Sequence, residues 1–276
     1  MPRLSHQTYG KHAVRVSRVV RDGDRHRFIE ASVDVELTGD FDAAYTDADN
    51  RNIVATDTCK NTVYALAHDD DFVSIEAFAM RLARHFVDQY PHVDGSRIRI
   101  TQTPWTRIDD HDHAFAAAGP HRPTAECSLR RGAEPRLSSG VNDRVIAKTT
   151  ASGFADFHRD EFRTLDDTDD RILATSMDAR WDYGRPPEDA NESRRRVMAC
   201  LDTAFGDHYS HSVQETLYRM ATAVLGGDEN VVRIQLTMPN KHHLKVDLSP
   251  FGRENRNEVF MVTDEPRGYI TATVER

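Results

Sequence analysis

The sequence predicts an α+β fold made of two modules on one plan, each ordered strand–strand–helix–helix–strand–strand. Three observations predict it. Apolar and polar side chains alternate with period two at the start and end of each half. Apolar residues recur at helical spacing in the middle of each half. The tripeptide Asp22-Gly23-Asp24, set between two alternating segments, is a hairpin turn. Helices grouped between antiparallel hairpins pack together on one sheet face. No repeat of sequence is visible; only the order of elements recurs.

In chain order, residues 13–37 form the first hairpin, with Val14, Val16 and Val19 before the turn and Phe28 to Leu37 after it. Residues 39–50 read as an acidic, irregular connection. The apolar run Ile53-Val54-Ala55 then ends in Thr56-Asp57, and Val63, Leu66 and Ala67 follow on one side of a helix. Thr or Asp at such a point takes an orphan backbone N–H, and the helix N-terminus favours an anion. A second helix starts at Ser74, buries Ile75, Phe78, Leu82 and Phe86, and stops at Pro91. Residues 97–107 and 124–131 are strands, with 109–123 a loop between them. Residues 134–140 are the expected boundary, giving domains 1–137 and 138–276. Strands at 141–150 and 172–183 open the second half. Helices follow at 193–205 and from Ser212, the latter closed by Gly226-Gly227. Residues 231–236 and 244–248 finish the module as strands, with 259–262 a short extra one.

Composition excludes several classes. With 38% hydrophobic and 29% charged residues the chain reads as a soluble protein, and no apolar run reaches the roughly 18–20 residues of a membrane span. The start, Met-Pro-Arg-Leu-Ser-His, lacks a signal-peptide core. Three scattered cysteines, Cys59, Cys127 and Cys200, suit a reducing cytosol rather than a disulfide framework. A net charge of −9 disfavours nucleic acid and anionic membranes as partners. His111 with His113, and His208 with His211 at i,i+3 spacing, lack a third ligand and read as surface residues. No phosphate loop, dinucleotide fingerprint or nucleophile elbow is present.

Several stretches carry residue types that suit either a ligand or ordinary packing. In Lys148-Thr-Thr-Ala-Ser152-Gly-Phe154-Ala-Asp-Phe157-His-Arg-Asp-Glu-Phe162-Arg-Thr-Leu165, followed after five residues by Arg171, a guanidinium can clamp an anion edge and a phenyl face can stack on a ring. Without a ligand, Phe154 reads as core, and Arg171 as a surface ion pair with Asp166, Asp167, Asp169 or Asp170. Ser212-Val213-Gln214-Glu215 is a capping box with Val213 and Gln214 in the first helical turn, where an amide complements an imide edge or is simply solvated. In Pro239-Asn240-Lys241-His242-His243-Leu244, alternation sets His242 on the face of Leu244, Val246 and Leu248, the usual place of a core histidine. Tyr9-Gly10-Lys11 reads as an N-terminal tail with one solvated charge.

These stretches, with Val54-Ala-Thr56-Asp57-Thr-Cys59-Lys60-Asn61, resemble the motifs of urate oxidase (uricase), in the family's order and across nearly the whole chain. The strand before Lys148 departs from the family pattern at Val145-Ile146-Ala147, which bears on packing. The resemblance implies the tunnelling fold, two ββααββ domains in tandem paired into a barrel on oligomerisation, and a homotetramer. It implies oxidation of urate by O2 and water to 5-hydroxyisourate and hydrogen peroxide, with no metal or flavin. It assigns Lys11, Thr56 and His242 to proton movement, and Thr56, Asp57, Phe154, Arg171, Val213, Gln214 and Asn240 to substrate or oxygen. A lysine acting as base there needs its neutral form favoured. It also implies sites at subunit boundaries, with Lys11, Thr56 and Asp57 supplied by a neighbouring chain. Peroxisomal members end in a Ser-Lys-Leu-like signal; this chain ends Val274-Glu-Arg276, so a bacterial-type cytoplasmic protein is expected. Other tunnelling-fold purine or pterin enzymes, and a non-catalytic purine binder, are the alternatives.

Overall fold

The computed structural model describes residues 3–69 and 72–276; the first two residues of the N-terminal stretch read above lie outside them. The chain divides into two compact units, Met1–Gly140 with Asp182–Glu192, and Val141–Trp181 with Ser193–Arg276. Each carries the strand–strand–helix–helix–strand–strand order, so the α+β class and the doubled plan are as expected.

In the first unit β1 (Tyr9–Asp22) and β2 (Arg25–Gly39) form the hairpin, turning through Gly23 at φ +61°. Helices α2 (Thr56–Asp69) and α3 (Ile75–Gln89) follow, then β3 (Val93–Thr103) and β6 (Arg122–Arg130), with sheet order β1-β2-β3-β6. Ser74 caps α3, its Oγ accepting from Ala77 N at 3.1 Å. Phe78, Leu82 and Phe86 are fully buried, as their spacing predicts. Cross-strand partners share a face, so the register lays out the core in rungs. One rung runs Val14, Val33, Ile100, Ala125; the next runs Lys11, Val35, Ile98, Cys127. Each of the seven apolar members of the two rungs is buried.

Lys11 reaches that second rung only through a β-bulge. Between Lys11 and Val14 the pairing slips by one residue, with Ala13 at φ +55° and its N–H held by Asp34 Oδ1 at 2.8 Å. Strict alternation would put Lys11 and Val14 on opposite faces, three residues apart; the extra residue returns them to one face. Lys11 therefore belongs to a strand rather than a tail, on the sheet face that α2 covers.

From Arg136 onward the chain repeats the plan: β7 (Arg136–Lys148) and β8 (Leu173–Tyr183), α4 (Ala190–Gly206) and α5 (Val213–Gly227), then β9 (Val231–Thr237) and β12 (Thr271–Glu275), in the order β7-β8-β9-β12. Met177, Trp181, Val197, Leu201, Leu217, Met220, Val224 and Ile234 make the core of the second unit.

Several local expectations are corrected. The connection after Gly39 contains a short helix, α1 (Asp42–Thr46), following buried Phe41. The strand expected at 97–107 breaks at Pro104, which has no N–H for the ladder; β4 (Trp105–Arg107) then pairs with β5 (Phe115–Ala117), inside the expected loop. The residues at 244–248 do not close the second sheet. Instead β10 (His242–Lys245) pairs with β11 (Phe260–Thr263), and β12 closes the sheet against β9. Both modules thus carry a two-stranded ribbon at the same place, before their last strand. α5 ends at Gly227, as the glycine pair predicts, and a Cβ at Gly227 would meet Cys200 Sγ at 2.4 Å, so that glycine serves helix packing as well. Among the described residues no helix is long and apolar enough to cross a membrane.

Candidate active site

The predicted residues fall into two groups, one in each unit. In the first unit Thr56 is the opening residue of α2, and Asp57 lies in its first turn, both exposed. The Asp57 carboxylate accepts from Lys60 Nζ and from Asn61 Nδ2 (2.9 Å). Lys60 above all, with Asn61 and Lys11 assisting, holds that carboxyl below the usual range. Burial pushes the Cys59 thiol up to about 11, a rise the nearby Lys11 charge opposes. Half-buried Lys11 is therefore an electrostatic neighbour of the first turn of α2. Gly10 cannot be replaced without moving β1, since a Cβ there would meet Val35 O at 1.8 Å.

In the second unit a single loop organises the site. Residues 151–154 run between two other segments and bond to both. On one side Phe154 N donates to Thr168 O (2.7 Å), Thr168 N to Phe154 O (3.0 Å), and Arg171 N to Ser152 O (2.8 Å). On the other, Gly153 N donates to Ser210 O (2.8 Å) and Ser210 N to Ala151 O (2.9 Å). Gly153 is required at this crossing, because a Cβ would lie 2.3 Å from Tyr209 Oη and 2.8 Å from Thr168 O. Ser210 Oγ donates to Ser212 O (3.1 Å) and accepts from Thr216 Oγ1 (2.7 Å), tying the crossing to the start of α5. Ser212 caps α5 by accepting from Glu215 N at 3.1 Å, while Glu215 Oε2 accepts from His211 N at 3.0 Å. Val213 is consequently buried and Gln214 exposed in the first turn. Phe154, Arg171, Val213 and Gln214 are thus joined by one backbone network.

The guanidinium of Arg171 stands 5.2 Å from the Phe154 ring centre, and Phe157 stacks on the same ring at 4.8 Å and 11°. Arg171 is not a surface ion pair. Two of its neighbouring acids have other partners: Asp167 pairs with Arg159, and Asp170 accepts from Thr150 and Asn257. Arg171 Nε and Nη2 are buried with no hydrogen-bond partner, and burial pulls the guanidinium's pKa down. Buried orphan donors on a charged group are costly, so two on one guanidinium edge mark a place for an acceptor pair. A cavity of about 420 Å³ also opens beside Phe154, but Asp156, Asp167 and Asp169 line it, and carboxylates repel an anion.

Asn240 is fixed to β8: it bridges Thr175, and Lys241 N donates to Ala174 O at 2.9 Å. Its Oδ1 is buried and unpartnered. His242 opens the β10–β11 ribbon. Alternation sets it with Leu244, as expected, but that face is not core, since Leu244 is 47% exposed and its partner Met261 56%.

Lys148 has a role that its sequence pattern does not indicate, and His208 is not the surface residue expected. Lys148 caps α4, its Nζ donating to the carbonyls of Phe205, Gly206 and His208. His208 is half-buried, its Nε2 2.9 Å from Thr216 Oγ1, and residues 207–212 are not helical, so the i,i+3 spacing to His211 has no meaning. Only the Ser-His spacing around 208–212, set against a buried Thr at 216, could have signalled this cluster. Among the described residues no group of three His, Cys, Asp or Glu is arranged to hold a metal.

Two ββααββ modules define a tunnelling-fold protein, and one of them carries an unpaired guanidinium stacked on a phenyl ring beside a capped helix. The sequence profile of the uricase family matches residues 7–128 and 137–271, and the chain belongs to that family. It is 42% identical to the uricase of Arthrobacter globiformis over 273 residues, covering 99% of this chain and 90% of that one. To the uricase of Danio rerio it is 36% identical, covering 97% and 93%. The crystal structure of the Arthrobacter globiformis uricase superposes with a TM-score of 0.96 at 41% identity, covering all of this chain and 96% of that one.

Proposed function

We propose that the chain is a urate oxidase, converting urate, O2 and water to 5-hydroxyisourate and hydrogen peroxide. The reaction balances without a further reagent: urate gives up two electrons, O2 takes them with two protons, and water supplies the hydroxyl at C5. The observation that carries the reading is the Arg171 edge, two buried N–H donors without partners beside Phe154. Arg171 and Gln214 hold opposite edges of the urate anion, Phe154 stacks on the ring, and Val213 closes its side. Asn240, whose Oδ1 has no partner, places O2 and then water with Thr56. Lys11, Thr56 and His242 move the proton that leaves urate electron-rich enough to reduce O2.

The chain acts as a homotetramer whose paired domains, 1–137 and 138–276, close a barrel. Each site takes Lys11, Thr56 and Asp57 from a neighbouring copy. Two features support this: Thr56, Asp57 and Gln214 are exposed in the single chain, and the two groups of residues lie on different units. The proposed compartment is the cytoplasm, in keeping with three free cysteines.

Because the substrate supplies both electrons, neither metal nor flavin is required. Protein dialysed exhaustively against chelator should consume urate, followed by its ultraviolet absorbance, and release one peroxide per urate. Activity lost on dialysis and restored by zinc, copper or iron would reject cofactor independence. No urate loss by any preparation would reject the function.

A further inference from the structure

Lys11 and Thr56 must act together, yet they sit on different elements, β1 and α2, and their separation depends on what ties the two. α2 packs on β1, and a side-chain hydrogen bond from β1 also fixes the segment that enters α2. Tyr9 lies two residues before Lys11, on the rung with Leu37, and its Oη accepts a hydrogen bond from Val54 N at 2.8 Å. Val54 is two residues before Thr56 and is buried, so its N–H has no recourse to water. The Tyr9 ring is fixed edge-on against buried Phe41, with centres 4.8 Å apart. Gly10 lies against the Val35 carbonyl, and the bulge at Ala13 pins the other side of Lys11.

We propose that Tyr9 is a positioning residue for the proton-moving pair: its phenol oxygen holds residues 54–56 at the spacing from β1 that lets Lys11 serve Thr56. The inference rests on the urate oxidase reading. Desolvation raises the phenol to about 12, so Tyr9 stays neutral and acts as a fixed acceptor, taking no part in proton transfer at ordinary pH. Tyr9 touches neither substrate nor oxygen in this account, and the groups that grip urate, Arg171 and Gln214, lie on the other unit. A defect here should therefore appear in turnover and not in binding.

The test is Tyr9→Phe, which keeps the ring and removes only the acceptor. Its kcat should fall about 10- to 100-fold, the scale of a misplaced catalytic group. KM for urate should stay within about twofold, as expected when only the chemical step is impaired. Amide exchange should quicken in residues 53–58 and not in 212–220. Val87→Ala, a truncation in the α3 core of the same unit, controls for lost stability; it should lower the melting temperature with kcat near wild type. Unchanged kcat in Tyr9→Phe, or a rise in KM matching the fall in kcat, overturns the inference. So does an equal kcat loss in Val87→Ala. Lys11→Met separates the two levels. If it turns over like wild type, the proton-moving assignment fails and the Tyr9 role with it. If it is inactive while Tyr9→Phe is fully active, the Tyr9 role alone fails.

Discussion

Arg171→Ala should lower kcat/KM for urate by about 2–5 kcal/mol, the scale of breaking a buried charged pair, which is roughly thirtyfold to several thousandfold. The same substitution should leave the unliganded protein melting no lower than wild type. The two halves of this expectation have one cause. Nε and Nη2 of Arg171 are buried with no acceptor on the protein, so their burial carries a desolvation cost that a bound anion offsets. Truncation removes the cost along with the function, while Arg171 N still donates to Ser152 O, so the loop crossing survives. Arg171→Lys should not rescue, because an ammonium cannot offer two parallel donors to one edge. Activity assays with melting curves check it. A stability loss equal to the activity loss would make Arg171 a structural residue.

Lys11→Met should abolish turnover while affinity for a urate analogue stays nearly intact. Lys11 shares its rung with Val35, Ile98 and Cys127, and a methionine of similar length suits that apolar row, so the fold is expected to hold. What disappears is the amine beside the first turn of α2, where Thr56 stands. Equilibrium binding of a non-reactive analogue, alongside single-turnover assays, separates the roles. Lost analogue binding with turnover spared at saturation would reverse them.

Much of the frame was legible because it depends on local chemistry. The Asp-Gly turn, the Ser74 and Ser212 caps and the Phe78-Leu82-Phe86 face are short-range patterns, and each appears where its residues predict. The ribbons were missed or misassigned because strands of three or four residues carry too little periodicity, and pairing decides them. The position of Lys11 was illegible for a sharper reason. Its face is set by one inserted residue, and Ala13 at positive φ gives no sign of itself in sequence. Resemblance named Lys11, but only the bulge explains how a lysine comes to lie on a core rung. The Arg171 site divides likewise. A guanidinium among four aspartates reads as a surface ion pair until the structure engages Asp167 and Asp170 elsewhere. The three-way crossing at Ser152, Thr168 and Ser210 joins residues more than fifty positions apart, beyond any local pattern.

The central claim is that a working site combines Lys11 and Thr56 of one chain with Arg171 and Gln214 of another. Complementation between inactive mutants tests it most directly. Lys11→Met and Arg171→Ala chains are co-expressed in equal amounts and assemble at random. Across a two-fold interface half of the pairs are mixed, and each mixed pair holds one site with both lesions and one with neither. About a quarter of wild-type activity should therefore return. Activity at the background of the separate mutants, with mixed assemblies demonstrated by mass spectrometry, would contradict the claim and confine the site to one chain.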